Sequence, residues 1–237
     1  MRKKNKNFKP NNFADLYNFA KLEIDINTKS PLLIKSGEQD PLEESNSPRF
    51  LRSQDVTGRE VCVIPGSTIK GFIRGNLERL TDYIEGGKDL IKKRFGFSHF
   101  NKPRHADRTN SASNIYCNQF VANNPNFEIR PQIAIDPKTQ STRRGALLNL
   151  ECVSTGTIFS GSIQLRNWDI KLLGMIGIIL NLANKGLISI GSNKSRGFGK
   201  LQFLLKKIQI QIIGGNQNST FKYNFSKDNL KFSDSND

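Results

Sequence analysis

Residues 190–200 read Ile-Gly-Ser-Asn-Lys-Ser-Arg-Gly-Phe-Gly-Lys and lie between a predicted helix and a predicted strand. Glycine adopts positive φ angles and lets a second backbone approach closely, and the exposed N–H groups of such a turn can bind phosphate. Lys194 and Arg196 add charged donors. We call this stretch the glycine loop. It indicates either a phosphate-binding connection or a tight turn whose glycines serve geometry alone.

The segments around the glycine loop predict an α+β fold. Leucine and isoleucine dominate 171–184, which favours a helix, and residues 200–213 alternate as a strand. The other predicted elements are strands at 19–33, 61–64, 114–121 and 156–165, a helix from a Ser67 or Thr68 cap to Leu80, and a hairpin over 127–151 that turns at 136–139. This order is typical of a ferredoxin-like antiparallel sheet with helices on one face.

The length of 237 residues suits one sizeable core. We expect a single domain at 19–213, preceded by a flexible basic arm at 1–18 and followed by a polar tail, disordered at its end, at 214–237. Insertions are expected at about 35–60, 82–112 and 129–150, with 82–112 polar and irregular.

The charge of the chain indicates a polyanionic partner. Lys and Arg number 36 against 21 Asp and Glu, which gives a formal net charge of +15. Such an excess supplies affinity for nucleic acid through counterion release. The three cysteines form no CxxC pair, and the N-terminus lacks the apolar region of a signal peptide. We therefore expect a soluble, cytoplasmic protein that does not contact a membrane.

A second basic segment begins at Ile64-Pro-Gly-Ser-Thr. The N-terminus of the predicted helix offers free N–H groups and a positive dipole end to an anion. Lys70, Arg74 and Glu78 recur at every fourth residue and form one stripe along this helix. An ordinary capped helix with a solvated basic face explains the pattern equally well.

Four blocks of sequence, in order, resemble the CRISPR-associated RAMP superfamily. They are SPLLIKSGEQD at 30–40, VIPGSTIKGFIRGNLE at 63–78, IAIDPKTQSTRRGALLNLECVSTGTIF at 133–159 and GSNKSRGFGKLQF at 191–203. The resemblance is to the Cas-seven-type backbone subunit of type III effector complexes. It implies an RNA-recognition-motif-like core that polymerises along CRISPR guide RNA (crRNA), with target RNA, further copies of itself and other Cas subunits as partners.

The resemblance also assigns roles to residues. The positions that would grip the guide backbone are Gly66, Ser67, Lys70, Arg74, Ser192, Lys194, Ser195, Arg196 and Gly197. The hairpin would be a thumb that wedges between guide and target bases, with Ile133, Lys138, Arg143 and Arg144 at the RNA. A plain solvent-exposed β-ribbon is the other interpretation of this hairpin.

Whether the chain also cuts RNA is left open by the sequence. Type III relatives commonly use an acidic residue in the loop after the first strand, which can hold Mg²⁺ or Mn²⁺ during an in-line displacement. Here Asn46 stands at the usual Asp position, and the loop offers Asp40, Glu43, Glu44 and Asp55 as catalytic candidates.

The two histidines suggest a further alternative, a guide-processing endoribonuclease of the same superfamily. His99, His105 and Cys117 match no structural zinc spacing well, so we expect no metal-binding residues there.

Overall fold

The computed structural model describes residues 16–35, 47–81, 87–97, 112–136, 138–142, 147–213, 219–225 and 230–233. The helices are α1 (Gly66–Thr81), α2 (Gly87–Phe95) and α3 (Ile170–Asn184). The strands are β1 (Asn18–Thr28), β2 (Arg52–Gln54), β3 (Glu60–Ile64), β4 (Ile115–Cys117), β5 (Phe120–Ala122), β6 (Phe127–Gln132), β7 (Leu148–Val153), β8 (Ile158–Arg166), β9 (Leu201–Ile212), β10 (Ser219–Phe225) and β11 (Leu230–Ser233).

Strand β1 is the centre of the fold because it pairs antiparallel with both β8 and β9. Its side chains alternate between the two faces of the sheet, as the period of a strand requires. Leu22, Ile24 and Ile26 are buried in the core, whereas Glu23 and Asp25 lie half-exposed on the opposite face. One face of the sheet is therefore covered and the other is polar.

The connections confirm the expected ferredoxin-like antiparallel core. Among the described strands, the large sheet has the order β11-β10-β9-β1-β8-β5-β3-β2, with β4 also paired to β8. The four central strands β9-β1-β8-β5 follow the split βαβ arrangement, because α1 lies between β1 and β5 in the chain and α3 between β8 and β9. Strands β6 and β7 form a separate two-stranded hairpin.

The helices share one core with the covered face of the sheet, as predicted. Ile69 and Ile73 of α1, Ile176 and Ile179 of α3, and the inward residues of β1 belong to the same buried cluster. The Phe72 ring of α1 stacks on Phe203 near the start of β9, with centroids 6.1 Å apart. In the described parts of the chain no helix is both long and apolar enough to cross a membrane.

The start of α1 differs from the prediction, since Ser67 and Thr68 already lie inside the helix and neither is its cap. The helix begins at Gly66, directly after Pro65, whose carbonyl accepts hydrogen bonds from the N–H groups of Thr68 (3.0 Å) and Ile69 (3.2 Å). A Cβ at position 66 would lie 1.9 Å from the carbonyl oxygen of Cys117. Glycine is required there because α1 starts against the backbone that follows β4.

Helix α2 was not expected, since 82–112 reads as polar and irregular. It forms because Ile91, Arg94 and Phe95 turn one face into the protein. The Arg94 guanidinium forms an ion pair with Asp169, whose other oxygen caps α3 by accepting from the Leu172 N–H at 2.9 Å. The apolar stripe of α2 is difficult to recognise in the sequence, because the buried Arg94 interrupts it and arginine is usually exposed.

Three strand predictions also need correction. The first strand ends at Thr28 instead of Leu33, because the chain bends before Pro31, and Leu32 makes only an isolated bridge to Val153. The strand expected at 114–121 is broken into β4 and β5 where the Asn118 N–H turns to the carbonyl of Ser162. Strand β2 lies in the expected 35–60 insertion, and β10 and β11 lie in the expected polar tail.

Candidate nucleic-acid interface

The glycine loop is fastened to the segment that follows β1. The N–H of Ser192 donates to the carbonyl of Leu33 and the N–H of Gly199 donates to the carbonyl of Pro31, both at 2.9 Å. Within the loop, the N–H of Ile190 donates to the carbonyl of Gly199 at 3.0 Å. These bonds join the two ends of the loop and hold them on one neighbouring segment.

Two glycines are required by this close packing. Gly199 has φ +79°, and a Cβ there would lie 1.9 Å from the carbonyl oxygen of Ile190. Gly191 has φ +83°, and a Cβ there would lie 2.5 Å from the carbonyl oxygen of Leu33. Gly197 also has a positive φ, +85°, but nothing lies within 4 Å of its Cβ position. Close backbone contacts therefore explain why positions 191 and 199 are glycine, whereas there is room for a side chain at position 197 near the tip of the loop.

The tip of the glycine loop is a 3-10 turn over Lys194–Arg196. Asn193 precedes it in the left-handed conformation with φ 58°, and its carbonyl accepts from the Arg196 N–H at 2.9 Å. Lys194, Ser195 and Arg196 are all exposed. The base of the loop is fixed and its charged and hydroxyl side chains face solvent, which suits a phosphate contact.

The glycine loop and the hairpin are packed together. Phe198 is buried in a small cluster with Leu33 and with Leu150 and Cys152 of β7. The guanidinium of Arg196 donates to the side-chain oxygen of Gln132 at the end of β6. Three of the four sequence blocks, those at 30–40, 133–159 and 191–203, therefore meet in this cluster.

The hairpin has the form expected of it. Strands β6 and β7 pair in register from Phe127 opposite Val153 to Gln132 opposite Leu148. Beyond them the turn closes where the N–H of Asp136 donates to the carbonyl of Ser141 at 2.9 Å.

Apolar side chains project from the hairpin into solvent. Ile133 is 52% exposed, Ile135 is 62% exposed, and Leu147 on the returning strand is also exposed. Lys138 at the turn is exposed too. Arg143 and Arg144 lie outside the described residues.

Arg52 joins the hairpin to the main sheet, and the sequence did not single it out. Its guanidinium pairs with Glu151 of β7 at 2.7 Å and with Glu60 of β3 at 3.2 Å, and it lies 4.6 Å from the ring centroid of Phe127 in β6. The Arg52 guanidinium is therefore held by carboxylates from both sheets and by an aromatic ring. No local motif signals this, because the partners are distant in sequence.

The cationic residues of α1 lie on a separate element from the glycine loop. Ser67 is exposed, Lys70 is half-buried, and Arg74 pairs with Glu78 at 2.8 Å. Burial lowers the pKa of Lys70, and the nearby Arg74 charge acts in the same direction. In the part of the chain the structure describes, no hydrogen bond or ion pair joins these residues to the glycine loop. Helix α1 instead contacts β9, the strand that follows the glycine loop, through Phe72 and Phe203.

Of the four acidic candidates for catalysis, the structure describes Asp55. Asp40, Glu43 and Glu44, together with Asn46, lie outside the described residues. Asp55 accepts hydrogen bonds from the side chain (2.6 Å) and N–H (2.8 Å) of Thr57 and from the N–H of Arg59 (3.0 Å). The hydroxyl of Thr57 is the largest influence that lowers the pKa of Asp55 to about 2. These bonds favour a structural role in the β2–β3 turn.

A metal site is not formed by the described residues. Over the described ranges, no three His, Cys, Asp or Glu side chains cluster closely enough to hold a metal ion. His99 and His105 lie outside those ranges. Burial raises the pKa of the Cys117 thiol to about 12, so Cys117 is protonated at neutral pH.

Comparison with known proteins identifies the family. The RAMP superfamily model matches residues 25–202, about three quarters of the chain, including the glycine loop, the α1 segment and the hairpin. The chain belongs to the RAMP superfamily. No curated protein matches its sequence.

Solved structures share the fold of this RAMP protein. It is similar to a chain of a type IV-B CRISPR complex, with a TM-score of 0.56, 12% identity, and coverage of 78% of this chain and 90% of the other. It is also similar to a chain of the type III-B Cmr-beta complex in its apo state, with a TM-score of 0.54, 12% identity, and coverage of 78% and 96%. At this identity the likeness concerns the fold.

Proposed function

We propose that this RAMP protein is a guide-RNA-binding backbone subunit of a CRISPR effector complex of the type III kind. The observation that carries the proposal is the junction of the glycine loop with the base of the hairpin, through Arg196 and Gln132 and through the Phe198 cluster. This junction puts exposed cations beside a ribbon of exposed apolar side chains.

Each part of the junction has a chemical role in the proposal. Lys194, Ser195 and Arg196 bind phosphates of the guide without reading its sequence. Helix α1 adds the side chains of Ser67 and Lys70. The hairpin inserts Ile133 and its neighbours at the bases, where an apolar wedge interrupts stacking. Base pairing of the guide then selects the target RNA.

The net charge of +15 supports the binding of several copies of the protein along one strand of guide RNA. Further copies of the chain and other Cas subunits are the protein partners in this proposal. The two structurally similar chains both come from CRISPR complexes, which supports this context.

The test is the affinity of the purified protein for single-stranded RNA, measured by fluorescence anisotropy. We expect the double variant K194A/R196A to bind about 25-fold more weakly at about 0.1 M salt, because each lost phosphate contact on a single strand is worth about five-fold there. K171A/K185A is the matched control, since it removes two exposed lysines, one in the first turn of α3 and one directly after its last residue, and carries the same charge change. Equal affinities of the two variants would refute the grip by the glycine loop.

RNA cleavage is not favoured by any observation on the described residues. It is tested separately by incubating the assembled complex and its target RNA with Mg²⁺ or Mn²⁺. Loss of binding and loss of cutting are distinguishable there, because catalytic-loop variants at Asp40, Glu43 or Glu44 would keep the affinity for RNA.

A further inference from the structure

A cleft of about 480 Å³ lies between α1 and α2, far along α1 from its N-terminus, and the sequence patterns did not indicate it. Gly75, Glu78 and Arg79 line it from α1, and Lys88 and Lys92 line it from α2. We call it the α1–α2 cleft. It exists only because 87–95 folds as a helix against α1, so it could not be recognised before α2 was known.

The geometry of α2 directs two lysines into the cleft. Ile91 and Phe95 of α2 are buried, and Gly87 packs so closely on Thr81 that a Cβ there would lie 2.6 Å from the Thr81 Cβ. This fixes the rotation of α2. Lys88 and Lys92 are four residues apart, so they share one stripe of the helix. Both are exposed.

Cationic side chains predominate among the described residues that line the cleft. Arg79 faces the two lysines from α1 and is exposed as well. Among those described residues, the acidic member is Glu78, which is paired with Arg74 at 2.8 Å. Asp89 lies 4.0 Å from Lys92 but is itself largely exposed, so water and salt screen this pair.

A polyanion in the cleft would meet the side chains of Arg79, Lys88 and Lys92, which can form charge-assisted hydrogen bonds. Gly75 has no side chain and nothing within 4 Å of its Cβ position, which leaves the α1 side of the cleft open to a backbone.

We infer that the α1–α2 cleft is a second phosphodiester-binding site for single-stranded RNA, with Arg79, Lys88 and Lys92 as its ligands. Lys70 and Arg74 lie on α1 between its N-terminal turn and the cleft. The inference rests on the proposed function for the identity of the polyanion. It extends the contact surface beyond the residues that the family resemblance assigns.

The experiment compares K88A/K92A with K194A/R196A and with the control K171A/K185A in the full-length protein. Binding of a labelled single-stranded RNA of about 30 nucleotides is measured across a salt series. We expect K88A/K92A to reduce the slope of log affinity against log salt by about 1.4 and the affinity by about 25-fold at about 0.1 M salt. The control should change both much less.

The outcomes separate this inference from the proposed function. If K194A/R196A weakens binding and K88A/K92A matches the control, the cleft does not bind RNA and the inference is overturned, while the proposed function stands. If only K88A/K92A weakens binding, the cleft is supported and the glycine-loop grip is wrong. If neither differs from the control, both ideas fail, and an acidic protein segment becomes the partner to test at the cleft. Circular dichroism of each variant confirms that α2 remains folded.

Discussion

Replacement of Gly199 by alanine tests the packing of the glycine loop, because the nearby Gly197 has a similar φ angle without the close contact. Gly197 and Gly199 both have positive φ angles, +85° and +79°. A Cβ at 197 meets nothing within 4 Å, whereas a Cβ at 199 would lie 1.9 Å from the carbonyl oxygen of Ile190. The pair therefore separates the cost of the backbone conformation from the cost of the clash.

The expected magnitudes follow from these contacts. G197A should cost about 1 kcal/mol, since an alanine in the left-handed region is disfavoured by about 1–2 kcal/mol and gains a little from its less flexible unfolded state. G199A should cost about 3 kcal/mol, because the backbone of Ile190 must also move by more than an ångström. G177A in α3 is the third member of the series. It should stabilise the protein by about 0.5–1 kcal/mol, since Gly177 is an exposed helix residue with open space at its Cβ position.

The assay is urea unfolding of the RNA-free protein, with thermal unfolding in parallel. For a chain of this length, 1 kcal/mol corresponds to about 2–4 °C, so G199A should lower Tm by about 6–12 °C and G197A by about 2–4 °C. A free energy of unfolding for G199A equal to that of G197A would refute the close contact between Gly199 and Ile190.

Three further predictions concern residues outside the glycine loop. R94A should destabilise the protein by about 2–3 kcal/mol in urea unfolding, because it removes a buried guanidinium together with its ion pair to the partly exposed Asp169. K93A on the exposed side of α2 should change stability by less than about 0.5 kcal/mol. Equal effects would contradict the burial of Arg94. The pKa of Asp55 is lowered from 3.8 to about 2, so its stabilising effect is complete above pH 3.8 and is lost as the pH falls towards 2. The difference in urea midpoint between the unmodified protein and D55N should shrink across that range, and a difference that grows would show the opposite sign. R52M should speed hydrogen exchange of amides in 127–153 without changing those of β1, and unchanged exchange in the hairpin would show that Arg52 does not anchor it.

The central elements of the fold could be predicted because their signals are local. The alternation in β1, the apolar stripe of α1 and the leucine-rich α3 each reveal their own secondary structure. Strands β10 and β11 could not be predicted, because their segment is rich in polar residues. Strand β10 pairs onto the edge of β9 and β11 onto β10, and only the folded sheet provides these edges.

The glycine loop shows where sequence reasoning reaches its limit. Residue types suggested that glycines and cations share one task. The structure separates them, since Gly191 and Gly199 allow backbone packing while Lys194 and Arg196 are exposed. The contacts of Arg52 with Glu151 and of Arg94 with Asp169 join residues that are distant in the chain. No local sequence motif predicts such contacts.

The most direct test of RNA binding by the glycine loop and hairpin is photocrosslinking of bound RNA, followed by mass spectrometry of the crosslinked peptides. The account predicts crosslinks in peptides from 190–200 and from the 127–153 hairpin, with further crosslinks along α1. Crosslinks confined to α3 and to the polar face of the β1–β8 sheet would contradict it.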